Sequence, residues 1–301
     1  MRLDVKVSQI AGVSRNKALQ LIESGAVKVD GKVVKKKSLD VNEDAQILVS
    51  VNKNSQKLTK INVYQQNLTK LNKTSQKLTD LPSILFEDEY VVIVNKPAGL
   101  ITEPGDSVRT LTLQEMLVDA GKIAPETESG GVVSRLDKGT SGVILFAKTD
   151  VSFDAFKAMY ADRKMHKTYL VLANGKVANK KFRVDAPIAR DKKNRIRFSV
   201  SRDGKEAVTD FDVVQEYEKF TLLKAFPKTG RTHQIRVHLA SIGHAVIGDK
   251  LYGDRSAFAD TLDRNWLHSA ALEFLHPISD EKVIAESKLP SELEEVFSVL
   301  E

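Results

Sequence analysis

Apolar positions recur with two different periods in the first fifty residues. Leu3, Val7 and Ile10 sit at helical spacing. Ala18, Leu19, Leu21 and Ile22 give the apolar side of a second helix, opened by Ser14 as N-cap and running from Arg15 to about Ser24. Gly25 stands where a positive φ ends a helix. The period then switches to two. Val27, Val29, Val33 and Val34 flank Asp30-Gly31, a strong hairpin signal, and Gln46–Val51 offers a third strand. Residues 1–51 therefore read as a small α/β unit.

Periodicity fails over residues 52–82. Asn, Gln, Ser, Thr and Lys dominate, and Ser-Gln-Lys-Leu-Thr occurs at 55–59 and again at 75–79, with a variant at Gln66–Lys70. Such a segment lacks the apolar residues for a core and predicts a basic low-complexity linker. From 83 onward the pattern is that of a large mixed domain, 83–301. Ile84–Phe86, Tyr90–Asn95, Val143–Ala147 and Tyr169–Leu172 read as strands, and 111–120, 150–163 and 231–242 as helices. Strands outnumber helices and do not alternate strictly with them, which predicts an α+β domain with a largely antiparallel sheet.

Charge sharpens this division. Residues 1–50 carry nine Lys/Arg against six Asp/Glu, and 51–82 six Lys against one Asp, so of the overall +6 only −2 is left for 83–301. A basic appendage on a near-neutral body is either a module that docks on a polyanion or a lysine-rich solvated surface, and charge alone does not choose between them. The chain has no cysteine, which removes disulfides, thiolate nucleophiles and cysteine-ligated zinc. No apolar run approaches the roughly 20 residues of a membrane span, and the first residues lack a secretory signal, so a cytoplasmic protein is expected.

Three segments carry candidate chemistry. Ser134-Arg135-Leu136-Asp137-Lys138-Gly139-Thr140-Ser141-Gly142 is a polar, glycine-bearing loop ahead of a buried strand, and can hold a carboxylate over a cleft. On the residues alone, the better reading is that Asp137 merely caps the turn, with Arg135 as its ion-pair partner. Lys167-Thr168-Tyr169 opens a strand, where Tyr169 either packs in the core or offers a ring for a base to stack on. In Gly230-Arg231-Thr232-His233-Gln234-Ile235-Arg236-Val237-His238, Ile235, Leu239 and Ile242 form an apolar stripe. Arg236 lies at its margin, where a half-buried guanidinium needs an acid, with Asp137 the natural candidate. His233 and His238 are five apart, off the i, i+4 spacing of a helical zinc pair, so no metal is expected.

Taken in order, these strings closely resemble the RluA-type pseudouridine synthases. Glu87-Asp88-Glu89, Val94–Leu100, Gly248–Gly253, Leu267-His268-Ser269 and His276-Pro277 extend the likeness over about 84–290. The first fifty residues resemble an S4-type RNA-binding domain, on Arg2-Leu3-Asp4, Ser14–Ala18 and Gly25–Gly31. The resemblance implies a pseudouridine synthase fold and an isomerase that converts chosen uridines in structured RNA, most of all large-subunit ribosomal RNA. It implies Asp137 as nucleophile, Arg236 as the partner that keeps it ionised, Tyr169 as the residue stacked on the base and serving in deprotonation at carbon 5, and Arg135 as the side chain filling the space of the flipped nucleotide. RNA contacts are expected from Arg231 and from Arg15, Lys17, Lys28, Lys32, Lys35, Lys36 and Lys37 of the first unit. No cofactor and no protein partner are implied, and a monomer is the default.

The chain departs from the family pattern at Ser134 and Glu103, where histidines are usual. Two competing readings are a catalytically silent RNA-binding protein that keeps the fold, against which Asp137, Tyr169 and Arg236 weigh together, and a synthase acting on transfer RNA.

Overall fold

The computed structural model describes residues 2–11, 15–36, 39–41, 47–49, 80–105, 108, 110–253 and 262–299, leaving aside the side chains of 8–11, 15–17, 48, 298 and 299. Ser14, Lys37 and the repeated segment 52–79 lie outside these residues, as do the side chains of Arg15 and Lys17. The chain divides into two units, Met1–Ser75 and Gln76–Glu301.

The first unit follows its sequence pattern. Helices α1 (Leu3–Ala11) and α2 (Arg15–Glu23) precede strands β1 (Val27–Val29), β2 (Lys32–Val33) and β3 (Ile47–Val49), in sheet order β2-β1-β3. Leu3, Val7, Ala18, Ile22 and Val27 are fully buried in one cluster. Gly25 ends α2 at φ +76°, and Asp30 and Gly31 both have positive φ, as the two-residue turn of a twisted hairpin requires. Lys28, Lys32, Lys35 and Lys36 are exposed.

The second unit is built on one mixed sheet. Among the described residues its strands are β4 (Ile84–Glu87), β5 (Val91–Lys96), β6 (Ser141–Ala147), β7 (His166–Asn174), β8 (Lys181–Asp185), β11 (Val208–Glu216), β12 (Phe220–Pro227), β13 (Leu267–Leu275) and β14 (Lys282–Glu286). They run in the order β4-β5-β6-β13-β7-β12-β11-β8, with β14 on β13. Among the described strands only the β6–β13 pair is parallel. A separate hairpin joins β9 (Ile188–Arg190) to β10 (Phe198–Val200). Helices α3 (Leu113–Asp119), α4 (Asp150–Ala161), α5 (Gln234–Ser241) and α6 (Ser291–Glu294) complete the unit. β6 is buried at every position and β5 at all but one, which is why both read as continuous apolar runs. The largest core cluster, including Val94, Ile144, Phe146, Val171 and Leu223, underlies the cleft described below.

Several expected boundaries shift. Thr112 and Thr149 act as N-caps with reciprocal capping boxes, so α3 starts at Leu113 instead of 111, while α4 starts at Asp150 as expected and ends early, at Ala161. Leu81, assigned by composition to the linker, packs against the main core. The third helix starts at Gln234, not Arg231, and ends at Ser241. Ile242 is therefore its C-cap and 41 % exposed, so the expected stripe stops at Leu239. Every residue from Gln234 to Leu239 is buried, which makes α5 an internal helix and not an amphipathic surface one. No described helix is long and apolar enough to cross a membrane.

Candidate active site

The loop that carries Asp137 is fastened from behind. Thr102 Oγ1 donates to the Leu136 carbonyl (2.8 Å) and accepts from the Leu136 amide (3.3 Å). The Gly99 amide donates to the Lys138 carbonyl at 2.8 Å. Lys96, fully buried at the end of β5, donates to the Leu100 and Pro97 carbonyls at 2.8 and 3.0 Å and reaches the Lys138 carbonyl at 3.5 Å. Burial, then the nearby Arg264, lowers its pKa to about 7, with Asp137 opposing. At the far end of the loop, Gly142 lies at φ +110° where β6 meets β13, and a Cβ there would collide with the Ser269 carbonyl. The Asn-Lys-Pro-Ala-Gly-Leu string and the glycines after Asp137 thus serve one purpose, to hold a short loop rigid beside a strand end.

Helix α5 brings the opposite charge. Arg236 is 8 % exposed and bonded on two sides. Its Nη1 donates to Asp137 Oδ2 at 2.7 Å, while Nε and Nη2 grip Asp249 at 2.6 and 2.9 Å. Burial works against the guanidinium charge, but the Asp249 bonds and the charges of both carboxylates outweigh it and leave its pKa raised. Sequence reasoning found the first acidic partner and missed the second. It also placed Arg236 at a margin, where the structure buries it. Asp249 is 2 % exposed and accepts further bonds from the Leu251 and Tyr252 amides. Arg135, the other candidate partner for Asp137, instead pairs with Glu103 at 2.8 Å on the exposed rim.

The approach to α5 is equally constrained. Gln234 uses its whole amide, accepting from Thr229 Oγ1 and the Arg231 amide and donating to the Val208 carbonyl and Thr209 Oγ1. His233 caps the helix in a left-handed conformation (φ +58°), uncommon for a side-chain-bearing residue. Its Nε2 lies 3.8 Å from Asp137 Oδ1, and its Nδ1 is 2.8 Å from the Tyr252 hydroxyl. Burial lowers the His233 pKa, against the pull of Asp137, so the ring is neutral at neutral pH. His238 is engaged elsewhere, with Thr209 and the Ala186 carbonyl, and does not share a site with His233.

These elements enclose a cleft of about 290 Å³. Arg135, Asp137, Tyr169, Arg231 and Arg236, five residues named from sequence, all line it. Tyr169 is a member of the core cluster and also part of the cleft wall. Burial, and next the nearby Tyr160, push its phenol pKa up, so it stays protonated at neutral pH. Arg231 donates through Nε to the Glu206 carbonyl at 2.8 Å. The lysines expected to bind RNA belong to the first unit. Glu103 was singled out as a departure from the family pattern and does line the cleft, whereas Thr102 was legible only as a neighbour of a glycine loop, and Asp249 and Tyr252 only as part of a short string without an assigned role.

Fold and cleft together set a charged, partly buried pocket against one end of a mixed sheet. Residues 90–241 match the RNA pseudouridylate synthase family and residues 1–47 the S4 domain. The chain belongs to the RNA pseudouridine synthase family and is an isomerase acting on RNA. It is 40 % identical over 213 residues to the uncharacterized RNA pseudouridine synthase YhcT of Bacillus subtilis, covering 70 % of each chain. An uncharacterized RNA pseudouridine synthase of Aquifex aeolicus is 35 % identical over 301 residues, 96 % of this chain and 90 % of that one. The ribosomal large subunit pseudouridine synthase D of Zymomonas mobilis is 36 % identical over 234 residues, covering 73 % and 74 % of the two chains. The solved structure of human RNA pseudouridylate synthase domain containing 1 shares the fold, with a TM-score of 0.59 at 24 % identity over 75 % of this chain and 97 % of that one.

Proposed function

We propose that this chain converts uridines of large-subunit ribosomal RNA to pseudouridine, in the cytoplasm, with Asp137 as the catalytic carboxylate. One observation carries the assignment of the residue: Asp137 presents a carboxylate, 19 % exposed, in the cleft while a buried guanidinium holds one of its oxygens at 2.7 Å. The bonded oxygen is fixed and the other faces the cleft region beside His233. A carboxylate so placed can bond to an electron-poor anomeric carbon or remove a proton, and either route detaches uracil for rejoining through carbon 5. Arg236 orients it and balances its charge.

Tyr169 supplies a ring at the cleft wall, and its protonated phenol favours stacking on the base over taking a proton from carbon 5. Arg135, on the rim, is placed to fill the space left when the target nucleotide swings out of its stack. Arg231 contacts the RNA at the same mouth. The exposed Lys28, Lys32, Lys35 and Lys36, with Arg15, Lys17 and Lys37 of the same unit, supply sequence-independent phosphate contacts. Ribosomal RNA is favoured by the relatives' names and by a separate basic unit suited to a large structured RNA.

The test is to incubate the purified full chain with protein-free ribosomal RNA and with unmodified transfer RNA, and to map pseudouridines by carbodiimide and primer extension. New stops in large-subunit RNA are expected. Stops confined to transfer RNA would contradict the substrate, and no stops in either would contradict the reading as a whole.

A further inference from the structure

The charge balance of residues 83–301, −2 in all, conceals a concentration. Arg190-Asp191-Lys192-Lys193-Asn194-Arg195-Ile196-Arg197 holds five cations and one acid in eight residues. These residues form the end of β9 and the turn into β10, and Lys192 to Ile196 are all exposed.

The turn is ordered by its own hydrogen bonds. Asp191 Oδ1 accepts from the Lys193 and Asn194 amides at 2.8 and 2.9 Å, and Asn194 Oδ1 accepts from the Ile196 amide at 3.1 Å. The Asp191 amide donates to the Arg197 carbonyl and the Arg197 amide to the Asn194 carbonyl, both at 2.9 Å. Arg190 Nη1 donates to the Arg195 carbonyl at 3.0 Å. The one acid of the turn is thus occupied by backbone, and the side chains of Lys192, Lys193 and Arg195 are directed at solvent from a fixed frame. A preformed frame lowers the ordering cost of binding. Ile196, 73 % exposed at the tip, adds an apolar surface among the cations.

The base of the hairpin touches the cleft. The Phe198 amide donates to the Tyr252 hydroxyl at 2.9 Å, and that hydroxyl bonds His233, which lines the cleft. The Phe198 ring packs edge-on against His233 with centroids 5.7 Å apart. Arg190 pairs with Phe198 across the ladder. Lys192, Lys193 and Arg195 are two to three residues along the chain from that pair, so at most roughly 10 Å from it at strand rise.

We infer that the β9–β10 hairpin is a second RNA-backbone contact, belonging to the catalytic unit itself, and that it grips phosphates next to the target nucleotide. This deepens the proposed function and rests on it for the identity of the polyanion. A patch of net +4 on a hairpin whose base packs against the cleft, on a domain of net −2, concentrates attraction near where the substrate must enter. It gives the catalytic unit a hold on RNA that does not run through the lysines of residues 1–51.

The experiment uses the full chain as wild type, as a triple variant (Lys192→Ala, Lys193→Ala, Arg195→Ala) and as a charge-keeping variant (Lys192→Arg, Lys193→Arg). Filter binding to a ribosomal RNA fragment is measured against KCl concentration, with KM for pseudouridine formation. Emission of Trp266, the only tryptophan and fully buried, verifies folding. Each lost phosphate contact lowers the log–log slope by about 0.7–0.9, so the triple variant is expected to flatten it by about 2 and to raise KM, while the charge-keeping variant retains the wild-type slope. A folded triple variant with unchanged slope and KM overturns the inference and leaves the patch to an acidic protein partner. If wild type binds RNA but makes no pseudouridine, the proposed function fails while the slopes still decide the hairpin.

Discussion

Two carboxylates share Arg236, and the regions that present them are built differently. Asp249 is 2 % exposed, takes two guanidinium nitrogens and is bonded again by the amides of its own turn. Asp137 takes one nitrogen and keeps 19 % of its side chain open to the cleft. The first arrangement consumes the acceptor capacity of a carboxylate. The second leaves some unused. Under the proposed function, structure and reactivity are divided between two aspartates on one cation, with Arg236 held firmly by Asp249.

The division is broken most directly by removing each acid. Asp249→Ala leaves a buried guanidinium without its two-pronged partner, and a loss of about 3–5 kcal/mol is expected from urea denaturation followed by Trp266 emission. Asp137→Ala, measured the same way, is expected to cost within about 1 kcal/mol, since its site opens to water. Equal losses would erase the distinction.

Smaller effects sharpen it. Tyr252→Phe deletes the acceptor of the Phe198 amide and the partner of His233, for about 1–2 kcal/mol in the same assay, with a fall in turnover as the His233 ring loses its orientation. Lys96, behind the Asp137 loop, gives a pH signature. Its folded pKa of about 7 lies below the unfolded 10.5, so between these values the unfolded chain binds more protons and stability rises with pH. Lys96→Met is expected to lose that rise between pH 7 and 10. An identical pH dependence in both proteins would show that the ammonium stays charged on its three carbonyls. Least of all, Glu103→Gln on the exposed rim is expected to change stability by less than about 1 kcal/mol, although it frees Arg135.

What the sequence disclosed follows the same line. The Asp137–Arg236 pair spans 99 positions, yet it was legible because a guanidinium beside an apolar stripe needs an acid and because both strings match the family pattern. Asp249 was not, because it lies in a turn with neither helical nor strand period, and nothing local announces that its carboxylate points at α5. The stripe through Ile242 misled because periodicity does not mark where Gly243 lets a helix stop. Within its described residues the first unit follows the sequence closely, since its turns rest on Gly25 and Asp30-Gly31, whose backbone demands are local. The hairpin at 190–197 escaped because charge was summed over a whole domain, and a sum erases position.

The central claim concerns Asp137 as the reacting group. It is tested by single-turnover release of tritium from RNA carrying 5-tritiated uridine, comparing wild type with Asp137→Asn at equal, saturating protein. The substitution keeps the shape and an oxygen for Arg236 but removes the charge. The account predicts a folded, RNA-binding protein slowed by at least ~1,000-fold. A variant within tenfold of the wild-type rate would contradict it.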